Sequence, residues 1–372
     1  MKNPIGFIYK ITLLGFLSSI IICLSLWHNS RTFPTIPVLN FIPPIPIWLN
    51  FLLLGTLICF LAGAIFINKP KLFIPVILIS TTVLILLDIN RLQPEFYIFS
   101  IILLLVYLYE CKKINEQTWF LLLCILVSAI YIFTGLNKLN DCFYLNVFKP
   151  FVYKLQSVLP SFLFTFLLSK SILIPLVEIA IGITIWISKL KKTSFFLTVC
   201  FHVTILVFLS PLVNNYNYAV FPWNICMIAY VFVLYKHKTG YNVLKTAKEN
   251  NYVKTILFLF VFIPTTHFVN FADSFISFDV YSGKYSYTYV FITEEMYSEM
   301  PLYIKKYAVK NDSEHNDYRL YIEDWATHEI KVPIYYDEWV LKRFQKFFSQ
   351  FSYSGKRVNL VVMRNNEEKV LE

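Results

Sequence analysis

Nine apolar runs follow one another along the first part of the chain, near 8–27, 46–67, 72–90, 95–110, 117–137, 171–187, 193–212, 218–235 and 252–270. Each approaches the ~20 residues a helix needs to cross a bilayer. The stretch 143–170 breaks the pattern. It mixes Lys149, Lys154 and Lys170 with Pro150 and Pro160, and its apolar part, 161–168, is short, which fits an interfacial or re-entrant segment. Beyond residue 272 charges return and long apolar runs stop. Residues 277–293 read as two strands around Ser282-Gly283, and 318–323 and 357–363 as further strands. Between them, Trp339, Val340, Phe344, Phe347, Phe348 and Phe351 recur at helical spacing behind Asp337, a candidate N-cap. The fold class expected is mostly α: a polytopic membrane bundle of about nine spans (1–270) with a small α+β extramembrane domain (271–372).

Composition agrees. Only 15% of residues are charged, against roughly 25% in soluble domains. The net charge of +10 need not mean nucleic acid, because the lysines concentrate in alternate loops. Lys2, Lys10, Lys69, Lys71, Lys112, Lys113, Lys189, Lys191, Lys192, Lys236 and Lys238 fall on one side, and Arg31 and Arg91 on the other. The positive-inside rule then places the N-terminus in the cytoplasm and the C-terminal domain outside. The 7 cysteines are scattered without a C-x-x-C, and read as small hydrophobes rather than as disulfides or metal ligands.

A few polar residues interrupt the oil. Cys124, Ser128, Tyr131, Thr134, Gly135 and Lys138 recur at three- and four-residue steps and share one helix face. A buried amine is a candidate general base; an amine at a helix end also reaches the headgroups by snorkelling. Glu178 sits mid-run, with Pro175 and Gly182 on its face, and needs a partner or a wet cavity. Ser194, Thr198 and His202 fall at four-residue steps on the next run, so a Glu178–His202 hydrogen bond is expected, either as a structural clamp or as a functional pair. Asp88, Arg91, Gln93 and Glu95 crowd one turn; Arg91 offers either an ion pair with Asp88 or a hold on an anionic group. Asn214, Asn215, Asn217 and Asn224 cluster with Tyr216, Tyr218 and Trp223, and Asn224 lies deeper than the rest. His267 closes the last run.

The string YIFTGLNKLND (131–141) resembles the aromatic-small-Gly-x-x-Lys-Leu helix end of the HTTM (horizontally transferred transmembrane) family, which includes the membrane domain of vitamin K-dependent gamma-glutamyl carboxylase. Glu178 followed by His202 on the next run, DINRLQPEFY and FPWNICM are similar to segments of bacterial members. The likeness covers roughly residues 5–270. It implies a bacterial inner-membrane protein in which Lys138 deprotonates a reduced, vitamin K-like quinone. Oxygenation of that quinol would give the base that removes a glutamate proton before carbon dioxide adds. The implied catalytic residues are Lys138, Glu178 and His202, with Tyr131, Arg91 and Asn224 at the cofactor and no metal. The carboxylase carries a much larger lumenal region that grips its protein substrate; here only about 271–372 stand in its place.

Two further classes compete with a quinol-using enzyme. One is a membrane scaffold or accessory protein whose outer domain binds a protein or peptide partner. The other is a proton-coupled transporter relaying through Glu178 and His202, which would need polar residues across the whole membrane; here they gather in the outer half.

Overall fold

The computed structural model describes residues 3–157, 159–211, 213, 217–237, 243–311, 317–352 and 358–371. Lys2, Asn214, Asn215, Tyr216 and Lys238 lie outside the described residues, as does Arg357 of the last expected strand. The bundle is built from α1 (Pro4–Ile22), α2 (Ile47–Phe66), α3 (Pro70–Leu87), α4 (Pro94–Glu110) and α5 (Glu116–Asn137). It continues through α6 (Ser161–Leu168), α7 (Leu173–Thr184), α8 (Ser188–Leu209), α9 (Val220–Lys236) and α10 (Asn251–Val269). Pro4, Pro70 and Pro94 open their helices where a missing N–H costs nothing. The side chains of Asn3 and Asn115 cap α1 and α5, accepting from Gly6 N and Thr118 N at 2.8 Å each.

Six of these helices, α1, α2, α3, α5, α8 and α10, are long and apolar enough to cross a membrane. Their outer faces carry Phe66, Ile79, Phe196 and Phe262, each more than half exposed, as a lipid-covered surface requires. Helix α5 is the central one: 83% of it is buried, against 22–50% of the other five. The expected span at 171–187 is shorter than its apolar run. Helix α7 has 12 residues, roughly 18 Å of rise, well short of a ~30 Å hydrocarbon core. It meets α6 at a 57° bend, so the expected re-entrant stretch and the expected span form one broken unit.

The two ends of the bundle differ. At one, Lys10 donates to the carbonyls of Ala64 and Ile65 (2.9 and 2.6 Å), and Lys191 to those of Leu234 and His237. At the other sits the C-terminal domain. It is a five-stranded antiparallel sheet in the order β2-β3-β1-β4-β5, with β1 Tyr285–Ile292, β2 Ala308–Lys310, β3 Tyr318–Tyr321, β4 Leu360–Arg364 and β5 Glu367–Leu371. Helices α11 (Glu294–Glu299), α12 (Ile322–Glu329) and α13 (Glu338–Ser349) accompany it. Phe33, from the loop after α1, inserts between Trp325 and Phe344 at ring distances of 5.0 and 5.5 Å. The membrane part thus completes the core of the sheet domain.

Three expectations for this domain change. Only the second half of 277–293 is a strand. Residues 277–284 form a bent connector whose Gly283, at φ +76°, runs against the Cys142 carbonyl, where a Cβ would approach to 2.2 Å. The run 318–323 ends as a strand at Tyr321, because α12 starts at Ile322. Asp337 precedes α13 without capping it; its carboxylate accepts instead from Ser274 N and Oγ (3.4 and 2.9 Å).

Two buried carboxyl groups, one in each half, show what holds each half together. Asp88 is fully buried between Arg31 and Arg91 and also accepts from the backbone of Ile36 and Asn90 (3.3 and 3.2 Å). Asp88→Ala is expected to strand two buried guanidinium groups and to destabilise the protein by about 3–5 kcal/mol, read as a lost or broadened melt in detergent. In the sheet domain, burial pushes the Glu323 carboxyl up to about 7. Its Oε2 accepts from Thr288 N at 3.0 Å, while Oε1 and the Thr288 hydroxyl are both buried without a partner. The fold therefore favours the protonated acid. Its cost is absent at acid pH, grows between the ordinary carboxyl range and pH ~7, and is constant above. Glu323→Gln is expected to melt a few degrees above wild type at pH 8 and together with it at pH 4.5.

Candidate functional site

The site forms where α5 and α7 cross. Gly135 on α5 faces the Pro175 carbonyl and the Glu178 Cβ, and an added Cβ would meet that carbonyl at 2.8 Å. Gly182 on α7 faces the Ser128 carbonyl in the same way, at 2.9 Å. Two glycines at one crossing let the backbones touch. The Ser128 hydroxyl then bonds the Gly182 carbonyl and accepts from Trp186 Nε1 at 2.9 Å. This contact brings the last residue of the polar stripe onto the lone carboxylate. Lys138 Nζ donates to both oxygens of Glu178, at 2.7 and 2.9 Å. Their side chains are only 12% and 5% exposed, so Lys138 turns into the bundle rather than out to headgroups.

A second, uncharged group lies on the same helix. The Tyr131 hydroxyl meets His202 Nε2 at 2.6 Å, and His202 Nδ1 meets Asn224 Oδ1 at 2.6 Å. The Asn224 amide nitrogen donates to the Val220 carbonyl (2.7 Å), which leaves its oxygen for the histidine. A neutral imidazole with its proton on Nδ1 satisfies every atom: Nδ1 donates to Asn224, and Nε2 accepts from Tyr131. Ser194, Thr198 and His202 all point inward from α8, as their four-residue spacing suggests. The charge of Lys138 lies within electrostatic reach of His202, and that of Glu178 within reach of Tyr131.

Five of the six residues expected at the site fall into two hydrogen-bonded groups, Lys138 with Glu178, and Tyr131 with His202 and Asn224. Two expectations are corrected. Glu178 bonds Lys138, not His202, because the glycine crossing sets α7 against α5 while His202 reaches α5 about two turns deeper, at Tyr131. Arg91 stands apart from the cluster. It is fully buried, donating to the carbonyls of Leu26 (3.0 Å) and Leu84 (2.8 Å) beside Asp88, so it braces a turn instead of facing a ligand.

A third cluster lies next to the first, and of its members only His267 stands out in the residues alone. Asn137, the neighbour of Lys138, donates to the Ser277 carbonyl (2.9 Å) and accepts from Lys284 (3.2 Å). Lys284 Nζ and His267 Nε2 both reach Asp279 Oδ2, at 3.1 and 2.7 Å. Burial raises the Asp279 carboxyl, but His267 and Lys284 outweigh it and hold the group below its ordinary range. His267 Nδ1 meets the Ala272 carbonyl at 2.7 Å. With an acceptor on each side, the ring is best served by protons on both nitrogens, and the cluster works as a fixed clasp. Two cavities, of about 400 and 200 Å³, flank it at the junction with the sheet domain, and neither is lined by Lys138, Glu178 or His202. No group of three His, Cys, Asp or Glu able to hold a metal occurs among the described residues.

A buried ion pair is costly to break and cheap to replace. Lys138→Met or Glu178→Met alone is expected to cost about 3–5 kcal/mol, whereas the double replacement recovers most of that loss. Thermal unfolding of the four proteins in one detergent measures the cycle. Against known proteins, no family model, no curated protein and no solved structure matches this chain.

Proposed function

We propose that this chain is an integral membrane enzyme resembling the vitamin K-dependent carboxylase in its core, in which Lys138 takes a proton from a lipid-soluble quinol. The observation that carries this reading is the buried amine held at 2.7 and 2.9 Å by a single carboxylate on a helix packed through glycine. In such a pair a proton passes from the ammonium to Glu178, which leaves a neutral amine beside a neutral acid; the amine then takes the quinol's phenolic proton, and the quinolate is the counter-charge of the new ammonium. In the neighbouring Tyr131–His202–Asn224 chain both ring nitrogens are used, and the Tyr131 oxygen keeps a lone pair for a ligand hydroxyl. Phe201 and Tyr131, at ring distances of 5.4 and 5.8 Å from His202, give the aromatic walls a quinone ring would stack on. When bound, a quinol would supply the phenolic proton and two reducing equivalents.

The same reading takes α4, α9 and the bent α6–α7 unit as spans, nine in all, with the sheet domain outside a bacterial inner membrane and a protein or peptide as the other substrate. Among the described residues the sheet domain touches Ser25, Thr32, Gln93 and Asn217, all in loops without a lysine, which supports that orientation.

One observation favours a scaffold instead. The edge strands β2 and β5 expose Val309 and Val370 (58% and 51%), the kind of edge to which a partner adds a strand. The two readings part at Lys138. In lipid nanodiscs supplied with reduced quinone, Lys138→Ala is expected to lower quinol oxidation at least ~100-fold, and Lys138→Arg to be nearly as poor, since guanidinium does not give up its proton. Wild-type turnover unaffected by either change would exclude the enzyme reading.

A further inference from the structure

The 400 Å³ cavity at the foot of α10 is of a size with small-ligand sites, and it is unusual in how its charges are sorted. Asp273 and Asp337 reach it from the connector and the start of α13. Asp273 Oδ2 accepts from the Tyr335 hydroxyl (3.1 Å) and Asp337 from Ser274. Among the described residues no lysine or arginine pairs with either acid, and His267, which lines the same cavity, is paired with Asp279. Arg364 reaches the same cavity from β4, lies over the Tyr285 ring at 5.3 Å, and donates to Asn270 Oδ1 at 2.9 Å. Among the described residues no carboxylate pairs with it. Lys342 and Lys369 share one acid, Glu338, at 3.1 Å each, which leaves that wall net positive. Arg364, Asp337 and Asp273 all line this one cavity together with Tyr285.

Separated charges of this kind fit a ligand carrying both signs. A simple cation would meet Arg364 without compensation, and a simple anion would meet the two aspartates. The rim adds the apolar part. Phe268, Val269 and Phe271 continue the last membrane helix and are 49%, 75% and 84% exposed, and Phe271 also lines the cavity.

We propose that this cavity holds the zwitterionic headgroup of an aminophospholipid, its ammonium at Asp273 and Asp337, its phosphate at Arg364, and its acyl chains along Phe268, Val269 and Phe271. This site is independent of the quinol reading and shares no residue with it. Burial and the neighbouring Asp273 push the Asp337 carboxyl up to about 6 against the pull of Ser274 and His267, and a bound ammonium would lower it.

The test uses the full chain in detergent with one lipid at a time, all with the same acyl chains, and counts retained lipid by native mass spectrometry. Phosphatidylethanolamine is expected to be retained about tenfold better than phosphatidylcholine, phosphatidylglycerol or N-acetylated phosphatidylethanolamine. Asp337→Asn and Arg364→Gln are each expected to abolish that preference while the melt stays that of wild type. The N-acetylated lipid removes the ammonium from the ligand side, so the result does not depend on either variant folding. Equal retention of the four lipids, or a preference unmoved by both substitutions, would overturn the proposal. Glycerophosphoethanolamine competing as well as the intact lipid would overturn the membrane source and point to a soluble zwitterion.

Discussion

One ion pair organises the membrane part of this protein. A lysine and a glutamate in a lipid-covered bundle each cost several kcal/mol to desolvate, and the fold meets that cost by bringing them into bidentate contact. That contact depends on backbone. Gly135 and Gly182 let α5 and α7 approach until no Cβ would fit between them. The short α7, bent away from α6, holds Glu178 level with the end of α5. Stiffer or bulkier residues at the crossing would leave two unpaired charges in hydrocarbon.

The sheet domain is fastened to the same end of the bundle. Asp88 collects Arg31 and Arg91; Glu329 takes the backbone of Thr32 and Phe33; Asp279 takes His267 and Lys284. Asp88 and Glu329 draw on segments 57 and 297 residues away, whereas Asp279 gathers neighbours 12 and 5 residues away. Lys284, the partner of Asp279, also donates to Asn137, the residue before Lys138. Any movement of the sheet domain is therefore felt at the helix end that carries the amine, without a lid or a long relay between them.

Much of this was legible in the residues. Each apolar run corresponds to a helix, and the three- and four-residue steps of Ser128, Tyr131 and Lys138, and of Ser194, Thr198 and His202, mark the faces that turn inward. What stayed hidden was pairing between helices. Periodicity says which way a side chain points, not how deep its partner lies, so Glu178 was matched to His202 when the glycine crossing delivers Lys138. The turn at 88–97 read equally well as a brace or an anion site, and only the carbonyls of Leu26 and Leu84, 65 and 7 residues from Arg91, decide it. Gly283 looked like a hairpin turn, but its positive φ serves a close pass under Cys142. Asp337 looked like a cap, but tertiary contact with Ser274 claims its carboxylate.

The account stands or falls on whether the amine and the carboxylate meet inside the bilayer. Solid-state NMR on protein reconstituted in lipid, with ¹⁵N on lysine Nζ and ¹³C on glutamate Cδ, measures that contact directly. The account expects one strong Lys138–Glu178 dipolar coupling from an amine shielded from bulk water. No coupling, with Lys138 Nζ exchanging like a headgroup lysine, would contradict it.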